Sequence, residues 1–188
     1  WLMADGKKFV KNIGWLMGGK IVNMILQFFV SLATARYLGP SNFGTINYVA
    51  AFVSFFSSIA SLGLAVVVIK EVSLNRYDNN EIIWTSIWLR FGTAILSTIS
   101  IVALMFITNR DDPMIVQIAV LESLSIVFSS FDTINYYFQG KLLSKWTSIS
   151  GILAYIGMSL YRIYLLATDA NIVWFALSTS TDMIFQAI

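Results

Sequence analysis

Residues 37–69 read YLGPSNFGTINYVAAFVSFFSSIASLGLAVVVI, 33 positions between Arg36 and Lys70 without one charged side chain. An α-helix needs about 20 predominantly apolar residues to cross the hydrocarbon core of a bilayer. The stretch supplies that length beyond Gly39-Pro40, where proline cannot continue a helix arriving from the N-terminal side. Ser41 or Asn42 then offers an N-cap. The reading is a transmembrane helix over 43–69 whose Ser54, Ser57, Ser58 and Ser61 serve packing between helices.

The same pattern recurs on both sides. Apolar runs predict further helices over 13–37, 82–107, 113–138, 144–168 and 172–188, the fourth opening on Pro113 at a favoured first-turn position. Their polar residues recur every three to four positions, which is the helical period and not that of a barrel strand. The fold class expected is an all-α integral membrane protein of about six transmembrane helices, with residues 1–188 as a single transmembrane domain. Composition agrees: 57% of residues are hydrophobic and 12% charged, against about 25% charged in soluble domains. Trp84, Trp88, Trp146 and Trp174 stand near the ends of apolar runs, the depth that amphipathic rings favour.

Several functions are excluded by what is missing. The chain has no Cys and no His, so it has no zinc site, thiol or imidazole catalysis, or disulfide. A net charge of +2 is too small to suggest nucleic acid. No catalytic residue, metal site or cofactor is expected, and the chain is not read as an enzyme. Asp111-Asp112 reads as a solvated helix-capping turn, and Gly18-Gly19-Lys20 lacks the Gly-rich approach and the Ser/Thr of a phosphate loop.

Orientation follows from Lys and Arg. With the N-terminus inside, Lys7, Lys8, Lys11, Lys70, Arg76, Lys141 and Lys145 are cytoplasmic, and only Arg36 and Arg110 lie in outer loops. The ends, Trp1 and Phe185-Gln186-Ala187-Ile188, read as cuts, so a fragment of a longer chain is expected.

Charges within the expected spans are Lys20, Arg90, Glu122, Asp132, Arg162 and Asp182. Each costs at least about 2–3 kcal/mol at mid-helix unless paired or hydrated, so such groups turn to a bundle interior. Most belong to polar seams at steps of three and four. Helix 1 carries Lys20, Asn23, Gln27, Ser31 and Thr34; helix 3 carries Ser86, Arg90, Thr93, Ser97 and Ser100. Helix 4 carries Glu122, Ser125, Ser129, Asp132 and Tyr136, and helix 5 carries Ser148, Gly151, Tyr155, Ser159 and Arg162. An aqueous, substrate-facing cavity is expected among them, lined by Lys20, Asn23, Gln27, Arg90, Ser97, Glu122, Asp132, Tyr155, Arg162 and Asp182. The Gly14-x-x-x-Gly18 pair reads only as close helix packing.

The junction Ala35-Arg36-Tyr37-Leu38-Gly39-Pro40-Ser41-Asn42-Phe43-Gly44 closely resembles the R-x-L-G-P-x-x-[FY]-G junction of bacterial polysaccharide flippases, the O-antigen and capsule repeat-unit translocases. Asn12-Ile13-Gly14-Trp15-Leu16, Ser61-Leu62-Gly63-Leu64, Lys70-Glu71 and Tyr136-Tyr137-Phe138-Gln139-Gly140 extend the resemblance. It implies the multidrug and oligosaccharide-lipid exporter fold, with this chain as its N-terminal six-helix lobe. It also implies movement of undecaprenyl-diphosphate-linked oligosaccharide across the bacterial cytoplasmic membrane. The partners implied are that lipid-linked substrate, membrane lipids, a C-terminal lobe, and polysaccharide polymerase or assembly machinery. A multidrug antiporter or peptidoglycan-precursor flippase of the same superfamily stands as the alternative, and a membrane-embedded polymerase or acyltransferase as one from another class.

Overall fold

In the computed structural model, backbone is described for residues 2–61, 63–74 and 78–187, and side chains for 10–61, 63–74 and 78–183. Among the described residues the chain is wholly helical: α1 (Leu2–Ala60), α2 (Leu64–Leu74), α3 (Asn79–Thr108), α4 (Pro113–Phe128), a 3-10 turn (Ser129–Asp132), α5 (Thr133–Gly140), α6 (Ser144–Ala167) and α7 (Ile172–Ala187).

The expected helix 1, and the expected helix 2 as far as Ala60, fall in one element that breaks at Gly39. The rest of the expected helix 2 (43–69) is set off by a turn before Leu64, with Gly63 at φ 65°, and continues as α2 to Leu74. Gly39 has φ 73° and ψ 171°, a region only glycine enters at low cost. Pro40 starts the second arm directly, where its missing N–H has no helical partner to lose. The expected helix 4 is instead divided into α4, the 3-10 turn and α5. Hydroxyls explain where: Ser125, Ser129 and Thr133 each donate to the carbonyl three residues back, and such bonds compete with the helical ladder and bend it. α3 begins three residues before the expected position because the Asp78 carboxylate accepts from the Asn80 N–H.

Two sets of contacts fix the direction of each element. At one end, the Ser144 N–H donates to Asn12 Oδ1 at 2.8 Å, and Ser73 Oγ to the Gly140 carbonyl at 3.1 Å. At the other, the Tyr37 hydroxyl donates to the Ala170 carbonyl at 3.3 Å and its ring meets Phe175. The first arm and α6 therefore run the same way, and the second arm with α2 returns. Gly140 sits so tightly on α2 that a Cβ there would lie 2.9 Å from Val72 Cγ1 and 3.0 Å from the Ile69 carbonyl.

The core unites Val49, Val53 and Ala60 of the second arm with Ala94 and Ile101 of α3, Ile118 and Ile126 of α4, and Ala176 of α7. Apolar side chains also cover the outside: Ile21, Phe28, Phe29, Leu96, Phe106 and Leu160 are all exposed. Water would not tolerate so continuous an apolar surface, but lipid does. Among the described residues, four helical segments are long and apolar enough to cross a membrane: Val10–Leu74, Asn79–Thr108, Pro113–Gly140 and Ser144–Ala167. The first is the kinked α1 with α2, and α7 at 16 residues is shorter than a full span.

Candidate functional site

A cavity of about 300 Å³ opens between the first arm of α1, the 3-10 turn with α5, and the start of α6. The first arm contributes Lys20 and Asn23, spaced three apart on one face. Gly19 lets that face approach α6, since a Cβ there would stand 3.0 Å from Ser148 Cβ. Asp132, Asn135 and Gln139 line the opposite wall. A buried oxygen of Asn23 (Oδ1) lacks a hydrogen-bond partner.

Arg90 stands behind this wall. It is 5% exposed, its guanidinium lies 5.3 Å from the centroid of the Tyr136 ring, and its charge acts on Asp132, which also takes a hydrogen bond from Asn135. One guanidinium nitrogen, Nη1, is buried without a partner. A ligand in the cavity would thus meet Lys20, Asp132 and Tyr136 directly, with the Arg90 charge behind the Tyr136 ring.

Glu122, Tyr155, Arg162 and Asp182 form a second cluster. Arg162 Nε donates to Ser178 Oγ at 2.9 Å, and the Arg162 charge acts on both Glu122 and Tyr155, with Asp182 acting on Tyr155 as well. Glu122 is 1% exposed, and neither carboxylate oxygen has a hydrogen-bond partner; the buried Tyr155 hydroxyl has none either. The 10 residues from Glu122 to Asp132 span roughly 17 Å, six at the α-helical rise and four at the 3-10 rise. The single stripe expected on helix 4 therefore serves two sites at different depths.

The remaining expected positions lie apart. Gln27 lines a separate, largely apolar groove with Met24, Phe28 and Phe43. Ser97 is buried on the α3 face that carries Ala94, Ile101 and Met105. Thr93 donates to the Ala60 carbonyl at 2.8 Å, and Ser100 bonds its own helix at Leu96. Most of the α3 stripe is thus packing within protein. Asn135, Thr147 and Ser150 line the cavity without belonging to any expected seam. The hydroxyl-rich run Ser129-Ser130-Phe131-Asp132-Thr133 was the available signal, because a local 3-10 turn changes which residues behind it face inward.

A family model described as polysaccharide biosynthesis protein matches residues 9–188. The chain belongs to that family. No curated protein and no solved structure matches it at a significant level. Membership, an all-helical architecture and four segments able to span a bilayer place this family member in a membrane, with polysaccharide synthesis as its setting. Among the described residues no cluster of His, Cys, Asp or Glu could hold a metal ion.

Proposed function

We propose that this chain is part of a flippase that moves undecaprenyl-diphosphate-linked oligosaccharide repeat units across the bacterial cytoplasmic membrane. The observation that carries the reading is the polar cavity of Lys20, Asn23, Asp132 and Gln139 in an otherwise apolar bundle. A diphosphate-sugar headgroup cannot enter hydrocarbon without replacements for its water. Here amides and hydroxyls supply hydrogen bonds, Lys20 and Arg90 supply positive charge, and Asp132 holds that charge when no anion is bound. The polyprenyl tail needs no such help and stays in lipid.

On this reading the kinked α1 with α2 makes two crossings, α7 begins the sixth, and residues 1–188 form one lobe of a two-lobed transporter with its N-terminus in the cytoplasm. The chemistry is transport, with no bond made or broken. Polysaccharide polymerase and assembly machinery are the partners that would consume the translocated unit.

The test is export of surface polysaccharide by the intact protein in its host. Lys20→Ala and Arg90→Ala should each reduce export at normal protein level, whereas Ser100→Ala on the outward face of α3 should not. Full export from the Lys20→Ala/Arg90→Ala double variant would overturn the cationic-cavity reading. Cysteines placed at Asn23 and Gln139 should react with water-soluble thiol reagents, and one at Phe28 should not.

A further inference from the structure

At the end of the bundle where Asn12 meets Ser144, a second pocket of about 180 Å³ lies between the first arm of α1 and the α5–α6 turn. Among the described residues its lining holds two cations, Lys11 and Lys145, two indoles, Trp15 and Trp146, and Leu142 and Leu143, with no carboxylate. The Lys145 ammonium stands 5.6 Å from the centroid of each indole. Ring faces attract a cation without taking up its N–H donors as a carboxylate would. The described lining therefore carries two positive charges with donor capacity around a small hollow.

The surroundings say what kind of anion fits. Trp146 is 63% exposed, and Leu142 and Leu143 are exposed beside it. Leu142 holds φ 57°, a left-handed turn position that usually goes to glycine. The turn closes with the Leu143 N–H on the Phe138 carbonyl at 2.8 Å. An apolar side chain at that strained position adds to an exposed apolar shelf in the same pocket as the two lysines. A soluble anion would use the lysines and leave the shelf idle; a molecule with an anionic head and acyl chains uses both. Basic pockets between helices at one membrane face select anionic lipid headgroups in this way.

We infer that this pocket is a binding site for one anionic phospholipid of the adjacent leaflet. Its phosphate sits between Lys11 and Lys145, and its chains lie along Trp146, Leu142 and Leu143. The site is separate from the cavity of Lys20 and Asp132 and does not depend on what that cavity carries.

Native mass spectrometry of the protein released from nanodiscs of mixed phosphatidylglycerol and phosphatidylcholine reads the site directly. The wild type should retain about one phosphatidylglycerol in clear excess over its share of the mixture. Lys11→Gln/Lys145→Gln should lower that preference roughly thirtyfold, from two lysines near a membrane surface. Lys70→Gln, at the same end but outside the pocket, should leave it intact. A wild type that retains the two lipids in their mixing ratio overturns the proposal without recourse to any variant. So does loss of the bound lipid to inorganic phosphate at millimolar level, which would make the occupant a free anion.

Discussion

The guanidinium of Arg90 on α3 lies 5.3 Å from the centroid of the Tyr136 ring on α5. Asp132, four residues before Tyr136 across the boundary between the 3-10 turn and α5, is the carboxylate on which the same guanidinium acts. Arg90 thereby lies against a ring face and within the field of an anion, which places α3 beside the cavity wall without exposing the cation to lipid. Pairs of this kind contribute about 1–2 kcal/mol when shielded from water. Arg90→Ala and Tyr136→Leu should therefore be non-additive by about 1 kcal/mol in a double-mutant cycle on detergent-solubilised protein. Strict additivity of the two unfolding shifts would show that the contact contributes nothing.

Gly39→Ala places a Cβ on a backbone at φ 73° and ψ 171°. That region costs a non-glycine residue about 1–3 kcal/mol. The variant should melt at lower temperature and accumulate less in membranes. Gly14→Ala, at a helical glycine with nothing within 4 Å of a built Cβ, should not. Equal behaviour of the two would mean the break at Gly39 is not glycine-dependent.

Gly140→Ala tests the contact between α2 and α5. Its methyl would press on Val72 and on the rigid Ile69 carbonyl, and overpacking of this kind costs about 1–3 kcal/mol. Val72→Ala should relieve part of the loss, since it removes the Cγ1 atom, while the carbonyl stays. Thermal stability of the single and double variants decides it, and absence of any rescue would locate the clash elsewhere.

Asn12 supplies the acceptor for the first N–H of α6 from a different helix. The flanking Leu143 offers no side-chain cap. Asn12→Ala should cost about 1–2 kcal/mol, because a buried N–H loses its partner. Asn12→Asp keeps the acceptor oxygen and should retain most of the stability. Hydrogen exchange at the start of α6 gives a local readout, and unchanged protection in Asn12→Ala would refute the cap.

Arg162 is the cation that acts on the buried Glu122 carboxyl. Removing the cation withdraws the charge that offsets the desolvation of the buried carboxyl, which is costlier than removing both groups. Arg162→Ala alone should destabilise more than Arg162→Ala/Glu122→Gln, by about 1–3 kcal/mol. The reverse order in unfolding experiments would show that the two side chains are not coupled.

Much of this was legible in the chain itself, and the reasons are local. The charge-free stretch 37–69, the Gly39-Pro40 break and the cap at Asp112 with Pro113 are properties of neighbours in sequence, so spacing alone reveals them. The junction around Arg36-Tyr37-Leu38-Gly39-Pro40 likewise pointed to the family that residues 9–188 match. The charges themselves were visible, because a charge in an apolar helix is conspicuous, but they were expected around one shared cavity.

What periodicity could not supply was the grouping. Periodicity treats every helix as running at one pitch toward one common interior. The 3-10 turn at Ser129–Asp132 breaks that assumption, and the distance along helix 4 parts Glu122 from Asp132. Asn135 and Ser150 entered the cavity wall only because α5 and α6 meet the first arm of α1 there. Ser97, polar in sequence, was withdrawn into the core by what packs on α3. Membrane residence, helical class and the break at Gly39-Pro40 were thus determined by the sequence alone, through hydrophobicity, charge and backbone chemistry acting over one or two turns. Which charges meet, and which stripes face the cavity, was decided only by tertiary packing, since contacts such as Asn12 with Ser144 join residues 132 positions apart.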